Sequence, residues 1–237
     1  MPGFGDNHCS EEYASNNSLS SDWAPLSSFL HVGQAFCGIQ NVTLDSSTTS
    51  NSNTSSQSYQ NYREALSNSN NHNVSDSWRI NVRIQGVDLE RGTLCGSMEA
   101  LDVPKIDTPV LTFWEGEIVD NKNSTFRTRR WDATKSNDIE HWSKFESFAP
   151  YSKDLGASQN LGQCRHVFMR WKEKFFERND PNGGLTIAGF YYLCLDRQTG
   201  KIYGYYYDPR SAPFQKLELF PYREDRAGYA FASYEFR

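Results

Sequence analysis

The sequence predicts an all-β protein, an antiparallel closed β-barrel of about eight strands with helical insertions. Apolar and polar residues alternate over several short segments, as in strands with one face in a core and one in water. Aromatic and β-branched residues fill two further runs around a short turn, as in a β-hairpin. Many antiparallel strands with few helices favour a closed barrel, and about eight strands leave room for a small ligand at its mouth.

The clearest strand lies at residues 78–85. Arginine, asparagine and glutamine alternate there with an apolar face. That face carries Trp78, Ile80, Val82 and Ile84. A second strand is predicted over Leu111 to Val119.

Residues 138–148 give the best helical pattern. Apolar side chains recur there at helical spacing, behind Asp138 as a candidate N-cap. They are Ile139, Trp142, Phe145 and Phe148. We expect this helix to pack on the sheet as an insertion.

The segment from Val167 to Phe176, VFMRWKEKFF, places a carboxylate among apolar residues if it is a strand. Alternation puts one set on one face, namely Val167, Met169, Trp171, Glu173 and Phe175. Arg170, Lys172 and Lys174 fall on the other face, so Glu173 has no local cation. A buried unpaired carboxylate must find a cation or shift its pKa. An amphipathic helix fits the pattern of this segment equally well.

The run that follows, Thr186 to Pro209, favours the strand. It is dense in aromatic and β-branched residues and is broken by a turn around residues 197–200, which indicates a β-hairpin. The first arm places Tyr191, Leu193 and Leu195 on one face, and the second arm places Ile202, Gly204 and Tyr206 on one face. Because a buried tyrosine hydroxyl needs a partner, Tyr191 and Tyr206 are candidates to line a pocket, with ordinary sheet packing as the alternative.

Two polar stretches divide the chain. Residues 1–29 and 45–77 are rich in Ser, Asn and Thr or acidic side chains and cannot bury enough apolar surface to offset chain entropy. The sequence therefore predicts a disordered extension at 1–29 and one barrel domain over 30–237 that carries a disordered insertion at about 45–77.

Charge and cysteine content exclude several classes. The net charge of −5 lacks the basic face that nucleic acid requires, and no apolar run approaches the ~20 residues of a membrane span. The five cysteines are widely spaced without CxxC pairs, which favours free thiols over disulfides or a zinc site. We expect a protein of the cytoplasm, with the nucleus as a second compartment, and no cofactor or metal.

Several ordered segments resemble one family, the substrate receptors of the GID/CTLH ubiquitin ligase, or vacuolar import and degradation family. They run in family order from about Phe36 to the C-terminus and are FCGIQ, LCGSMEALDVP, LTFWEGEIV, RRWDA, DIEHWSKFESF, VFMRWKEKF, AGFYYLCL, GYYYDP, FQKLEL and SYEFR. The resemblance implies the same barrel fold and a non-catalytic receptor. Such a receptor captures the N-terminus of a substrate protein, typically one that begins with proline, for ubiquitination by other subunits.

The resemblance also implies site residues. Glu173 matches the acidic residue of RWKE, which pairs with the substrate's N-terminal ammonium, and Tyr191 matches the first Tyr of GFYY at the same terminus. The peptide backbone and pocket would be held by Gln40, Val103, Val110, Tyr206 and Gln215. Valine at 103 and 110 replaces the family's common leucine, which would widen the pocket.

Two further features follow from the resemblance. The segment Gly184 to Ala188 departs from the family pattern, with Thr186 at a position that is commonly serine and Ile187 at one that is commonly aromatic. This loop edges the pocket, so the preference for proline is open. The terminal residues Tyr234, Glu235, Phe236 and Arg237 match the tail that docks onto a helical-repeat scaffold subunit. A last barrel strand is the alternative for this tail.

Two other functions fit parts of the pattern. A lipocalin-like carrier of a small apolar ligand would use the same barrel and aromatic lining, but without a charged residue positioned in the interior. An enzyme would need paired carboxylates such as Glu115, Glu117 and Glu173, yet no nucleophile elbow, phosphate loop or metal-ligand spacing accompanies them. The more economical interpretation of Glu115 and Glu117 is structural.

Overall fold

Eight strands form the body of the protein. The computed structural model describes residues 23–43, 77–103, 106–156, 161, 163–178, 185–209 and 214–222. The strands are β1 (Ala35–Thr43), β2 (Ser77–Asp88), β3 (Thr93–Leu101), β4 (Val110–Ile118), β5 (His166–Arg178), β6 (Phe190–Asp196), β7 (Ile202–Tyr207) and β8 (Phe214–Tyr222). The predicted insertion at 45–77 lies outside the described residues, apart from Ser77 at the start of β2.

The strands close into a barrel in simple chain order. Each strand pairs antiparallel with the next, and β8 pairs antiparallel with β1 from Ala35 opposite Tyr222 to Thr43 opposite Phe214. Closure gives each of the eight described strands two partners, so none of these strands is an open sheet edge. The predicted fold class, a closed antiparallel barrel of about eight strands with few helices, is confirmed.

The barrel interior is the main apolar core. The alternation predicted for β2 is confirmed, because Ile80, Val82 and Ile84 are buried in it. Both predicted faces of the hairpin also point inward, and the register pairs Tyr191 with Tyr206 across β6 and β7. The inward tyrosines lie near the end of this hairpin that is distant from its turn.

Two stacked indoles fill the middle of the barrel. Trp114 of β4 and Trp171 of β5 are fully buried with ring centroids 4.1 Å apart. Glycines on the neighbouring strands make room for them, since a Cβ at Gly116 would lie 2.5 Å from Trp171 Cδ1 and one at Gly96 would lie 2.8 Å from Trp114 Cζ2. We call this stacked pair the floor, because Trp114 lies opposite Glu173 of the neighbouring strand.

Strand β5 confirms the strand interpretation of residues 167–176 and corrects its last residues. Glu173 pairs with Trp114, but Phe175 pairs with Phe113 and Phe176 with Thr112, so β5 carries a bulge between Glu173 and Phe175. A bulge adds one residue and reverses the alternation beyond it. Phe175 is therefore 51% exposed on the outer face, and the prediction that it shares the face of Glu173 is wrong.

An insertion between β4 and β5 covers the outer face of β5, β6 and β7. It contains the helix α1 (Lys135–Trp142) and a 3₁₀ turn (Glu146–Tyr151), and Trp142, Phe145 and Phe148 are buried against the barrel. The helix begins earlier than predicted, because Thr134 caps it through a reciprocal pair of hydrogen bonds with Asn137.

The predicted N-cap, Asp138, is instead a buried acceptor. Its carboxylate accepts hydrogen bonds from the Thr128 backbone amide at 2.8 Å, the Thr128 hydroxyl at 2.5 Å and the Tyr192 hydroxyl at 2.9 Å. Ile139 is 38% exposed, so the prediction that it packs with Trp142, Phe145 and Phe148 in the core is wrong.

Residues 23–29 belong to the folded unit, although the sequence assigned them to the disordered extension. Leu26–Ser28 form a 3₁₀ turn, and Leu26 and Phe29 pack against the interior core at the end opposite the inward tyrosines. Arg197 donates to the Ala24 carbonyl at 2.9 Å and fixes the segment.

The described cysteines Cys37, Cys95, Cys164 and Cys194 are free thiols, as the sequence predicted. Among the helices that the structure describes, none combines the length and the apolar character of a membrane span.

Arg170 joins the insertion to the barrel. Its guanidinium is 1% exposed and donates to the Glu117 carboxylate at 2.6 Å, to the Thr128 hydroxyl at 3.0 Å and to the Thr125 carbonyl at 2.7 Å. The Glu117 side chain is 13% exposed, and Arg170 and Arg130 lower its pKa against the opposing effect of burial. This is a buried and fully partnered ion pair on the outer face of the sheet.

We expect Arg170→Met to destabilise the fold by about 3–5 kcal/mol, because it leaves the Glu117 carboxylate buried with one of its two cations removed. Denaturant unfolding measures this free energy. Arg79→Met is the matched control, because Arg79 and its partner Asp102 are both exposed to solvent. Loss of this surface pair should leave the unfolding free energy nearly unchanged. Equal effects of the two variants would contradict the assigned role of Arg170.

Candidate functional site

The predicted pocket residues of the barrel lie at one end of it. At this end β1, β3, β5 and β7 finish and β2, β4, β6 and β8 begin. We call it the mouth and define it by the inward or rim positions Gln40, Thr112, Glu173, Tyr191, Tyr206 and Gln215. Because consecutive antiparallel strands alternate in direction, residues far apart in sequence meet there.

Glu173 lies on the inner face of β5 next to the Trp114 floor. Thr112 of β4 donates its hydroxyl to Glu173 Oε1 at 2.6 Å. No lysine, arginine or histidine nitrogen of the described residues lies within salt-bridge distance of this carboxylate. Burial raises the pKa of Glu173, and the Thr112 hydrogen bond and the charge of Lys172 oppose that rise only in part. The Glu173 side chain keeps partial exposure to solvent.

A chain of hydrogen bonds crosses the mouth beside Glu173. The Tyr191 hydroxyl donates to Gln40 Oε1 at 3.1 Å, and Gln40 Nε2 donates to Gln215 Oε1 at 2.5 Å. Gln40 is 3% exposed, and Gln215 is partly exposed at the rim. These hydrogen bonds orient both amides and engage the oxygen of the Gln215 side chain rather than its nitrogen.

Tyr191 and Tyr206 form an aromatic wall. Their ring centroids are 4.9 Å apart, and the Tyr206 hydroxyl accepts a hydrogen bond from the Gly189 amide at 2.8 Å. Burial, the Glu173 carboxylate and the Tyr206 hydroxyl hold the pKa of Tyr191 well above its ordinary value. Tyr191 is therefore a neutral hydroxyl close to the Glu173 charge.

Val103 and Val110 form a small apolar cluster with Ile106 at the connection of β3 and β4. Trp78, Ala100 and Phe176 pack against this cluster. The two valines predicted from the resemblance are thus both buried at the mouth end, one on each side of the connection.

The loop before β6 follows the rim. Thr186 is exposed, and its hydroxyl accepts from the Ala188 amide at 3.2 Å; Ile187 is partly buried. The predicted docking residues Tyr234, Glu235, Phe236 and Arg237 lie outside the described part of the chain.

Two residues at the mouth end of the barrel, Thr112 and Phe176, were missed from the sequence. Thr112 interrupts the inward apolar face of β4 between Val110 and Trp114, which is the same signal, a polar residue on an apolar face, that pointed to Glu173. Phe176 was missed because the bulge in β5 reverses the alternation.

The remaining candidate acids and bases have structural partners. Glu115 lies on the outer face and pairs with Lys174 at 3.1 Å, and Glu117 pairs with Arg170. His141 is buried with a pKa lowered to about 4, chiefly by burial, and its Nδ1 lies 2.8 Å from the Asn137 carbonyl. Within the described ranges, no group of three or more His, Cys, Asp or Glu residues is placed to hold a metal ion.

Comparison with known proteins identifies relatives of this chain. It is 36% identical over 169 residues to the glucose-induced degradation protein 4 homolog of Mus musculus, which covers 68% of this chain and 76% of the mouse protein. In Schizosaccharomyces pombe it is 32% identical to GID complex substrate-recognition subunit 4, over 62% of this chain and 83% of that protein. It is also 32% identical to GID complex substrate-recognition subunit 10 of the same yeast, over 63% of this chain but 29% of that longer protein.

A family model described as vacuolar import and degradation protein matches residues 29–222, which include every strand of the barrel and the whole mouth. The chain therefore belongs to the vacuolar import and degradation protein family.

Proposed function

We propose that this chain is a substrate-recognition subunit of a GID/CTLH ubiquitin ligase and that the mouth of its barrel binds the free N-terminus of target proteins. The family match and the names of the relatives support the first part. One observation carries the second part. Glu173 holds a carboxylate on the inner face of the mouth with a single hydroxyl as its hydrogen-bond partner among the described residues.

An N-terminal ammonium supplies what Glu173 lacks. The ammonium has a positive charge and three N–H donors, or two when the first residue is proline, so it forms a charge-assisted hydrogen bond with the carboxylate in a site of low polarity. Thr112 holds Oε1 of Glu173, and the ammonium takes the remaining acceptor capacity. Tyr191, neutral and near Glu173, is placed to hydrogen-bond at the same terminus.

The backbone of the bound peptide meets the amides of Gln40 and Gln215. Gln40 is fixed by Tyr191 on one side and Gln215 on the other, so its orientation is set before a ligand arrives. The Gln215 amide nitrogen at the rim is a donor for a peptide carbonyl. A preorganised donor loses little conformational entropy on binding, which favours affinity.

The apolar wall selects the first side chain. Val103 and Val110 with their neighbours offer a surface for an aliphatic or proline ring. Proline is the expected first residue from the resemblance. Thr186 and Ile187 change the rim where the family commonly has serine and an aromatic residue, so we propose a preference that extends beyond proline to other small aliphatic residues.

Recognition is the part of the reaction that this chain performs, and other subunits of the ligase transfer ubiquitin. The tail at Tyr234, Glu235, Phe236 and Arg237 docks onto a helical-repeat scaffold subunit, with the two aromatic residues as anchors. Pairing of β8 with β1 through Tyr222 already closes the barrel, so residues 233–237 are not needed to complete the sheet.

The substitution Glu173→Gln should abolish measurable binding of a proline-initiated peptide. It removes one partner of a desolvated charge pair, at a cost of about 3–5 kcal/mol. Titration calorimetry against wild-type protein measures the loss. Glu115→Gln is the matched control, because Glu115 is a strand neighbour that faces outward and pairs with Lys174. Unchanged affinity in a folded Glu173→Gln protein would show that Glu173 does not bind the N-terminal ammonium.

Two further readouts separate binding from folding in the same experiment. Because burial raises the pKa of Glu173, its charge costs stability above that raised pKa, and the cost disappears as the pH falls to the ordinary value of a glutamate. Unliganded Glu173→Gln should thus melt no lower than wild type at neutral pH.

Wild-type protein should show no measurable binding of an N-acetylated peptide, because acetylation removes the ammonium. A carrier of apolar ligands would instead bind an apolar dye and would not discriminate between the acetylated and the free peptide.

Truncation at Ser233 tests the docking tail. We expect the shortened protein to lose co-purification with the scaffold subunit while its melting temperature and peptide affinity stay unchanged, since the barrel closes without the tail. Affinity capture from a reconstituted complex and calorimetry on the isolated protein provide the two measurements. Simultaneous loss of folding and peptide binding would instead show that the tail is a structural strand.

A further inference from the structure

Lys172 precedes Glu173 on β5 but belongs to the opposite face of the sheet. Its ammonium donates to three successive carbonyls of the loop before β6, those of Ile187, Ala188 and Gly189, with distances of 3.0 Å and 2.8 Å to the last two. An ammonium has three protons, and here each has a carbonyl acceptor.

These three carbonyls have a physical need for such a partner. β6 begins at Phe190, so residues 187–189 precede its ladder with β5, which begins with Tyr191 opposite Trp171. A partly buried carbonyl oxygen that accepts no hydrogen bond costs free energy. The Lys172 ammonium therefore supplies the hydrogen bonds that a neighbouring strand would otherwise donate to these carbonyls.

The loop end is also held from the other side of the sheet. The Gly189 amide donates to the Tyr206 hydroxyl at 2.8 Å, and a Cβ at Gly189 would lie 2.1 Å from the Tyr207 carbonyl oxygen and 2.5 Å from Tyr206 Cζ. Lys172 outside and Tyr206 inside thus clamp the same peptide segment against the mouth.

The acidic residue opposite Lys172 is paired with a different lysine. Glu115 lies directly across from Lys172 on β4, yet it pairs with Lys174 at 3.1 Å. The Lys172 ammonium acts on the Glu173 carboxylate through the electrostatic field, without a salt bridge between them. Both lysines that flank Glu173 in the sequence thus have partners other than Glu173.

We propose that Lys172 is a positioning residue for peptide recognition, which fixes residues 187–189 so that Thr186 and Ile187 form a rigid rim over the bound N-terminus. This inference rests on the function proposed above. It assigns to the loop a part in retaining the peptide, because a rim that is held closed slows the release of a ligand beneath it.

Hydrogen exchange tests the clamp without any ligand. In Lys172→Met, exchange of the Gly189 amide and its neighbours in residues 186–189 should speed up by about tenfold or more, the loss expected from removing charge-assisted hydrogen bonds. Amides of β2 and β3, far from the loop, should exchange at the wild-type rate. Lys174→Met is the matched control, because Lys174 lies two residues along β5, pairs with the exposed Glu115 and contacts no loop carbonyl among the described residues.

Peptide kinetics test the role in recognition. We expect Lys172→Met to release a proline-initiated peptide about tenfold faster, with a much smaller change in the association rate and with the requirement for a free amine retained. Lys172→Arg should fall between the two proteins, because its charge remains but a planar guanidinium does not converge on three successive carbonyls.

The outcomes separate this inference from the function it rests on. Unchanged loop exchange, or faster exchange throughout the barrel, would overturn the clamp. Faster loop exchange with unchanged peptide release would overturn the positioning role, while loss of binding in Glu173→Gln would still support amine capture. If Lys172→Met does not fold, nitrogen-15 NMR of the wild-type ammonium replaces it, and a Lys172 ammonium that exchanges with solvent as fast as that of Lys174 would overturn the clamp.

Discussion

The mouth of this barrel depends on one uncompensated charge, the Glu173 carboxylate on the inner face of β5. A carboxylate in an apolar interior loses hydration that a single hydroxyl hydrogen bond does not replace. The fold accepts that cost at the mouth, beside the Trp114 and Trp171 floor, where the Glu173 side chain keeps partial exposure to solvent. The surrounding groups are arranged to hold this carboxylate in place without neutralising it.

The same strand shows how the protein satisfies a buried charge when no ligand is involved. Three residues before Glu173, Arg170 is buried on the outer face, paired with Glu117 and hydrogen-bonded to the insertion. The two charged residues lie on the same strand but on opposite faces of it. Arg170 receives a full set of partners because it joins two parts of the fold. Glu173 has an open acceptor because, in our account, its partner is the substrate.

The fold was largely predictable from the sequence because alternation is strong wherever a strand has one buried face. The faces of β2 and of the β6–β7 hairpin followed from pattern alone, and so did the inward direction of Glu173. The predicted faces were wrong where a bulge interrupts the two-residue alternation of a strand. The bulge after Glu173 reverses the alternation, so that Phe176 points inward in place of Phe175. No residue type near the bulge predicts it. The helix start was missed because Thr134 outcompetes Asp138 as N-cap.

The site was less predictable than the fold, since it is made of contacts between distant strands. The residues drawn from the family resemblance, from Gln40 to Gln215, are brought together at one end by closure of the barrel. Thr112 carried a readable signal as a polar residue on an apolar face. The triple contact of Lys172 carried none, because its acceptors are backbone carbonyls whose direction depends on where β6 begins.

Whether Glu173 waits without a cation for the substrate's N-terminus can be measured through its pKa. Carbon-13 NMR of the side-chain carboxyl can follow its titration in the free protein and in the presence of saturating peptide. In the free protein we expect the pKa of Glu173 to lie above the ordinary glutamate value, because burial dominates. When a peptide with a free N-terminus binds, the pKa should fall markedly, because an ammonium favours the charged form of the carboxyl. An N-acetylated peptide should leave the value unchanged. A pKa that is ordinary in the free protein, or that does not fall on binding of the free peptide, would contradict the account.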